Sequence, residues 1–205
     1  GMKQPLQHLQ PGGVIRDLRL VTEFNPDRFD WRAQARFEDI TTRPWGEVPG
    51  VRNLSGSLHG QQDHLVIRLD SLDASLRFKT LFRDPLELAE LEGRLDILRR
   101  GDGWQLTSER LLADTPHILT RTRLRLDIQP QRPLFLDLQT DFSEGDASFA
   151  LRYYPYSIMD EELVAWLDSS IRSGRVPGGS ALVYGSLDDF PFDEPSSGVF
   201  QVVFD

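Results

Sequence analysis

With 205 residues, 39% of them hydrophobic and 27% charged, the chain can bury a real core and is long enough for one large or two small domains. Lys and Arg total 23 against 32 Asp and Glu, and the resulting net charge of -9 argues against a nucleic-acid backbone or an anionic lipid surface as a broad electrostatic partner. Cysteine is absent, which excludes disulfides, thiolate metal sites and Cys nucleophiles.

The chain opens on Gly1-Met2-Lys3, which reads as an expression scar at the head of an excised segment. No run approaches the ~18 apolar residues of a membrane span, so any anchor is expected outside these residues. Beyond that point the dominant signal is alternation with period two, the mark of strands with one apolar and one polar face. Val14, Leu18, Leu20, Thr22 and Phe24 share one parity, with Asp17, Arg19 and Glu23 on the other. Trp31, Ala33, Ala35 and Phe37 alternate with Arg32, Gln34, Arg36 and Glu38. Further along come Leu65, Ile67 and Leu69, and then Leu124, Leu126 and Ile128 set against Arg121, Arg123, Arg125 and Asp127. Leu134, Leu136 and Leu138 continue into Thr140 and Phe142. One-sided strands of this kind suit an antiparallel sheet, because parallel strands covered on both faces read as unbroken apolar runs.

Turn residues separate the strands at Pro44-Trp45-Gly46, Gly60 to Asp63, Gly101-Asp102-Gly103, Gln129-Pro130-Gln131 and Glu144-Gly145-Asp146, which predicts mostly short hairpins. Longer loops are expected around Pro44 to Pro49 and Asp114 to His117. A weak internal repeat pairs Leu54-Ser55-Gly56-Ser57-Leu58 with Leu91-Glu92-Gly93-Arg94-Leu95. One helix breaks the β pattern, over about residues 160–173. Asp160 is its N-cap, Leu163, Trp166, Leu167 and Ile171 form its apolar face, and Gly174 is a natural C′ residue. Trp166 and Leu167 are expected to hold it against the sheet. Strand character returns at Ala181 to Leu187 and at Val199 to Phe204, joined by the aromatic link Asp189-Phe190-Pro191-Phe192.

Tests for chemistry give bland readings. His8, His59, His64 and His117 lack metal-site spacing. Val176-Pro177-Gly178-Gly179-Ser180 fits neither a nucleophile elbow nor a phosphate loop and reads as a loop entering a strand. Asp188 and Asp189 read as solvated turn acids rather than an acid-base pair, and the Arg121 to Arg125 stripe as the wet face of a sheet. No catalytic residue, cofactor or metal is expected. What remains is the amount of apolar side chain on one face of successive strands. That face either closes into a core or stays open and holds alkyl chains, and periodicity alone favours the core.

Particular residues point further. Arg152-Tyr153-Tyr154-Pro155, Met159, Leu163, Trp166-Leu167, Ile171, Gly174, Gly185-Ser186-Leu187, Asp189-Phe190-Pro191-Phe192 and Gly198-Val199-Phe200 resemble the middle domain of the YhdP family of AsmA-like proteins. Upstream, Arg43-Pro44-Trp45, Pro49-Gly50-Val51, Leu54-Ser55-Gly56, Leu81-Phe82-Arg83-Asp84-Pro85-Leu86 and Asp102-Gly103-Trp104 extend the resemblance over nearly the whole chain. It implies a segment of a Gram-negative envelope protein, anchored in the inner membrane by a helix elsewhere and crossing the periplasm. Such a protein carries phospholipid towards the outer membrane along a trough of repeating β-groove units.

On this basis residues 1–205 form a single groove segment, mainly β. The expected fold is a curved, twisted antiparallel sheet forming a groove or incomplete barrel, with one packed α-helix near the C-terminus. Its partners would be phospholipid acyl chains and adjacent segments of the same protein. Strand parity selects Leu65, Ile67, Leu69, Leu124, Leu126, Ile128, Leu134, Leu136 and Leu138 as the lining. The alternative is a periplasmic scaffold whose sheet edges and aromatic link bind other proteins without lipid.

Overall fold

The computed structural model describes residues 8–25, 28–46, 48–192 and 197–205, so the opening Gly1-Met2-Lys3 lies outside the described residues. Eleven strands make one antiparallel sheet: β1 (Gly12–Asn25), β2 (Arg28–Thr41), β3 (Gly50–Arg52), β4 (Leu54–Gln61), β5 (His64–Arg77), β6 (Leu86–Arg100), β7 (Gly103–Asp114), β8 (Leu119–Ile128), β9 (Phe135–Asp146), β10 (Arg175–Ser186) and β11 (Gly198–Phe204). Spatial order follows chain order from β1 to β11, except that the short β3 pairs with the far end of β5. The sheet does not close into a barrel, since β1 and β11 lie at opposite ends of the pairing path. This is the mainly β, antiparallel architecture that the alternation predicts, unclosed as the family resemblance implies, with the helix near the C-terminus.

Tight turns explain the order. Gln62-Asp63 joins β4 to β5, and Gly101-Asp102 joins β6 to β7 with Gly101 at φ +59°. Two-residue hairpins of this kind force antiparallel neighbours. Two expected breaks are instead strand. β9 runs through Glu144-Gly145-Asp146, with Glu144 at φ +58°, and pairs there with Val176 and Arg175. β10 begins at Arg175 and so contains Pro177-Gly178-Gly179. Pro177 is tolerated because β11 pairs with β10 only from Gly179 onward, which leaves that stretch at a free edge.

A line of irregularities crosses the first eight strands. Asp17, Asp39, Asn53 and Asp73 all have φ between +51° and +57°, and register shifts fall at Arg16/Arg19, Phe37/Ile40, Gly93/Asp96 and Ser108/Leu111. Asp and Asn are the non-glycine residues that tolerate this conformation, and bulges bend and twist the strands that carry them. The bulge at Asp17 also switches faces along β1. Val14 pairs with Glu38 while Leu20 pairs with Ala33, so the single parity expected from Val14 to Phe24 is broken midway.

The two glycines of the internal repeat meet on this line. Leu69 of β5 is paired with Gly56 on one side and Gly93 on the other. A Cβ on Gly56 would lie 2.0 Å from the Arg68 carbonyl oxygen, and one on Gly93 would lie 2.8 Å from that of Arg110, so close backbone approach requires glycine at both. Beyond Gly56 the β4–β5 ladder is interrupted, and the buried Ser71 hydroxyl takes its place. It accepts from the Ser55 N–H and donates to the Ser55 carbonyl, both at 2.9 Å. Leu69, Ala74, Leu88 and Leu91 form a small buried cluster beside it.

Helix α1 (Glu161–Ser170) is capped as expected, with the Asp160 carboxylate accepting from the N–H groups of Glu162 at 2.9 Å and Leu163 at 3.1 Å. It ends three residues before the expected stop, because Ile171 is already extended. Gly174 instead presents its carbonyl to the Ala147 N–H at 2.9 Å. The helix's attachment also differs from expectation. Trp166 is 60% and Leu163 43% exposed, while Val164, Leu167 and Ile171 form the half-buried side. Asp168 carries the main polar link: Arg83 donates to both its oxygens, at 3.0 and 2.7 Å, and the Tyr154 hydroxyl donates to it as well. The Arg83 guanidinium stacks over Tyr154 and Tyr156, and it holds the Asp168 carboxyl below the usual range.

Two outcomes follow from these contacts. Ser71→Ala strands the Ser55 N–H and carbonyl and is expected to cost about 1–3 kcal/mol in denaturant unfolding. Arg83→Ala is expected to strip hydrogen-exchange protection from α1 while leaving protection of the central strands unchanged, since its bonds to Asp168 tie down the helix alone.

Candidate functional site

Strand register turns the parity pattern into a continuous surface. Reading across the sheet, Leu20 pairs with Ala33, Ala33 with Gly60, Gly60 with Leu65 and Leu65 with Ile97. The row goes on through Leu106, Leu126, Leu136 and Gly185 to Gly198 of β11. A second row runs from Ala35 through Leu58, Ile67 and Leu95, and resumes through Leu124, Leu138 and Val183 to Phe200. A third passes through Phe37, Gly56, Leu69, Gly93 and Leu111 before turning polar at Thr122 and Thr140, whose hydroxyls are 2.8 Å apart. Spacing of ~4.8 Å between neighbours makes a row over ten strands roughly 43 Å long.

Eight of the nine residues selected by parity fall on this face. Leu65, Leu126 and Leu136 share the first row and Ile67, Leu124 and Leu138 the second, whereas Leu69 lies in the third. Ile128 pairs with Trp104 at the margin, and Leu134 sits one residue before β9 begins. Their exposure separates an open face from a closed core. Leu69, at 7%, is buried in the cluster beside the bulges, Ile128 is 39% exposed, and the other seven are half-buried. Among the described residues a single sheet carries these side chains, with no second sheet facing it.

Both long edges end in apolar side chains. Leu18, Leu20 and Phe24 of β1 are exposed, as are Phe200, Val202 and Phe204 of β11. At the β11 end the first row is filled from above. Built on Gly185 and Gly198, a Cβ would lie within 2.6 Å of the Phe192 ring, which is itself buried and packs on Phe190. The aromatic link, Gly185 and Gly198, all part of the family-like string, thus form one packed unit. Sequence periodicity gives no sign of this, because the two glycines interrupt the apolar alternation.

The opposite face is polar, and on β8 and β9 and beside His64 its charges are paired within it. Arg123 donates to Gln139 at 2.6 Å, Arg125 lies 3.4 Å from Asp127, and Arg121 is paired in register with Asp141. Asp96 accepts from Arg94 at 2.6 and 2.7 Å and is 3.0 Å from His64 Nε2, and these partners, Arg94 first, lower its carboxyl to about 2. Asp188 and Asp189 lie exposed in a short 3-10 turn, and no cluster of three or more His, Cys, Asp or Glu among the described residues could hold a metal. No helix among them is long and apolar enough to cross a membrane.

A single unclosed antiparallel sheet, polar on one face and crossed on the other by apolar rows at right angles to its strands, defines a mainly β protein of open-sheet architecture. The chain belongs to the YhdP family, whose model, described as YhdP protein, matches residues 1–205. It is 27% identical over 198 residues to the intermembrane phospholipid transporter YhdP of Escherichia coli (strain K12), a match covering 95% of this chain. The chain spans 15% of that relative's length. No solved structure matches it.

Because the Asp96 carboxyl is depressed on folding, its contribution is complete above the ordinary carboxylate range near ~4 and is lost as pH falls towards about 2. Asp96→Asn is expected to flatten the decline of melting temperature across that window, measured by thermal scans at stepped pH.

Proposed function

We propose that this chain is a non-enzymatic segment of a periplasm-spanning protein that moves phospholipid between the inner and outer membranes, with acyl chains lying along the apolar rows. One observation carries the reading: Leu65, Ile97, Leu106, Leu126 and Leu136 stay in register across five successive strands, β5 to β9, and remain only partly buried. A closed core would have buried them. Transfer of alkyl chain from water onto such a surface is favourable by ~0.8 kcal/mol per buried methylene, and no bond need be made or broken. A guest lying along a row leaves its headgroup in water, which avoids the cost of desolvating a charge.

Membership of the YhdP family and the phospholipid transport of the Escherichia coli relative support phospholipid as the cargo and the envelope of a Gram-negative bacterium as the setting. The exposed apolar side chains of β1 and β11 support continuation of the rows into adjacent segments of a longer protein, with the membrane anchor elsewhere. The same edges also suit the rival reading, a periplasmic scaffold that binds other proteins by strand addition. Within the aromatic link the Phe192 ring is buried against Phe190, so the sheet edges carry most of that rival reading.

Capture of phospholipid from vesicles, read by native mass spectrometry, separates the two. The chain is expected to carry lipid, and Leu126→Arg combined with Leu136→Arg is expected to abolish it by placing two charges in the first row. Gln139→Arg on the polar face should leave capture unchanged. Lipid-free protein throughout, or equal loading of the double variant with its fold intact, would sink the transport reading in favour of the scaffold.

A further inference from the structure

The geometry points to a second binding site on the polar face, one that takes a zwitterionic phosphate ester, a phosphate and an ammonium joined by a short linker. A cavity of about 840 Å³ opens where the bulges bend β2, β4, β5 and β6, on the side away from the apolar rows. Its walls are two adjacent cross-strand rows of opposite sign. Arg36, Arg68 and Arg94 line one, and Glu38, Asp70 and Glu92 the other, with Gly56 and Gly93 in the floor between them. Arg110 extends the cationic side.

This arrangement is costly in the absence of a ligand. Arg68 is paired in register with Arg94, and Asp70 with Glu92, so like charges face each other across the β5–β6 ladder. The outer members are partly neutralised from outside the cavity: Arg36 lies 4.0 Å from Asp17, Glu38 is 2.6 Å from Arg16, and Arg94 is clasped by Asp96. Arg68, Arg110, Asp70 and Glu92 take no ion pair among the described residues, although the two walls stand side by side. Exchanging Arg68 with Asp70 would create two cross-strand ion pairs. The chain keeps the order that leaves a cationic and an anionic wall about two residues, or ~6.6 Å, apart along the strand. A phosphate seated between Arg68 and Arg110 accepts charge-assisted hydrogen bonds, and an ammonium two carbons away donates to Asp70 and Glu92. Neither an anion nor a cation alone satisfies both walls.

This site does not depend on the acyl-chain reading, because it lies on the other face and recognises only the polar group. The test is calorimetric titration of the chain with O-phosphoethanolamine, with inorganic phosphate and ethanolamine as single-charge probes. O-phosphoethanolamine is expected to bind at least about tenfold tighter than either, the ratio for loss of one charge-assisted hydrogen bond. Arg68→Gln and Asp70→Asn should each weaken it by about tenfold or more. The double exchange Arg68→Asp with Asp70→Arg should abolish binding while raising the melting temperature, which separates a lost site from a lost fold. Flotation with phosphatidylethanolamine vesicles then distinguishes sources: co-flotation lost in the double exchange assigns a lipid headgroup, and its absence assigns a water-soluble ester. No binding of O-phosphoethanolamine, equal binding of inorganic phosphate, or unchanged affinity in the double exchange overturns the site. Lipid capture by the Leu126→Arg and Leu136→Arg variant is independent of all three results.

Discussion

Cross-strand register is the constraint on which the molecule depends. Alternation decides which side chains share a face, but only register decides whether Leu65, Ile97, Leu106, Leu126 and Leu136 fall into one line. A slip of one residue between any two strands would turn every side chain beyond it to the other face. Two kinds of device hold the register. Tight turns fix it at the hairpins. Along the bulge line it is fixed by glycine where backbones nearly touch, at Gly56 and Gly93, and by the Ser71 hydroxyl where the ladder is interrupted.

The polar face keeps the sheet a single layer. Pairs such as Arg52–Glu87, at 2.7 Å, and Arg16–Glu38 are solvated and contribute little individually. Their collective effect is to make that surface costly to bury, so that face stays in water. Asp and Asn at positive φ serve the same architecture from the backbone. They bend the strands without placing an extra apolar group on the wet side.

The strands, their antiparallel order and the cap of the helix were legible because each follows from local rules: period two, turn residues and an N-terminal carboxylate. The face carrying eight of the nine selected residues was legible for the same reason. Less could be read where local pattern and tertiary pairing conflict. Asp17 reads as the polar half of an alternation, yet it is a bulge that reverses the face of Val14. Glu144-Gly145-Asp146 reads as a turn and Pro177-Gly178-Gly179 as a loop leading into a strand, yet pairing between β9 and β10 draws both into strands. Trp166 reads as a packing residue by helical spacing, but Arg83 and Tyr154 bind the helix through Asp168 and leave the indole outside. Openness of the apolar face could not be read from periodicity at all, since a covered strand and a bare one share the same alternation.

The Phe192 ring over Gly185 and Gly198 makes the long axis of the groove unequal at its two ends. Along most of the first row the rungs are chemically alike, aliphatic side chain after aliphatic side chain, so neighbouring strands present nearly the same surface. At β10 and β11 the rungs are glycines under an aromatic lid, so the repeating landscape stops and the groove acquires a direction that its sheet topology alone does not give it.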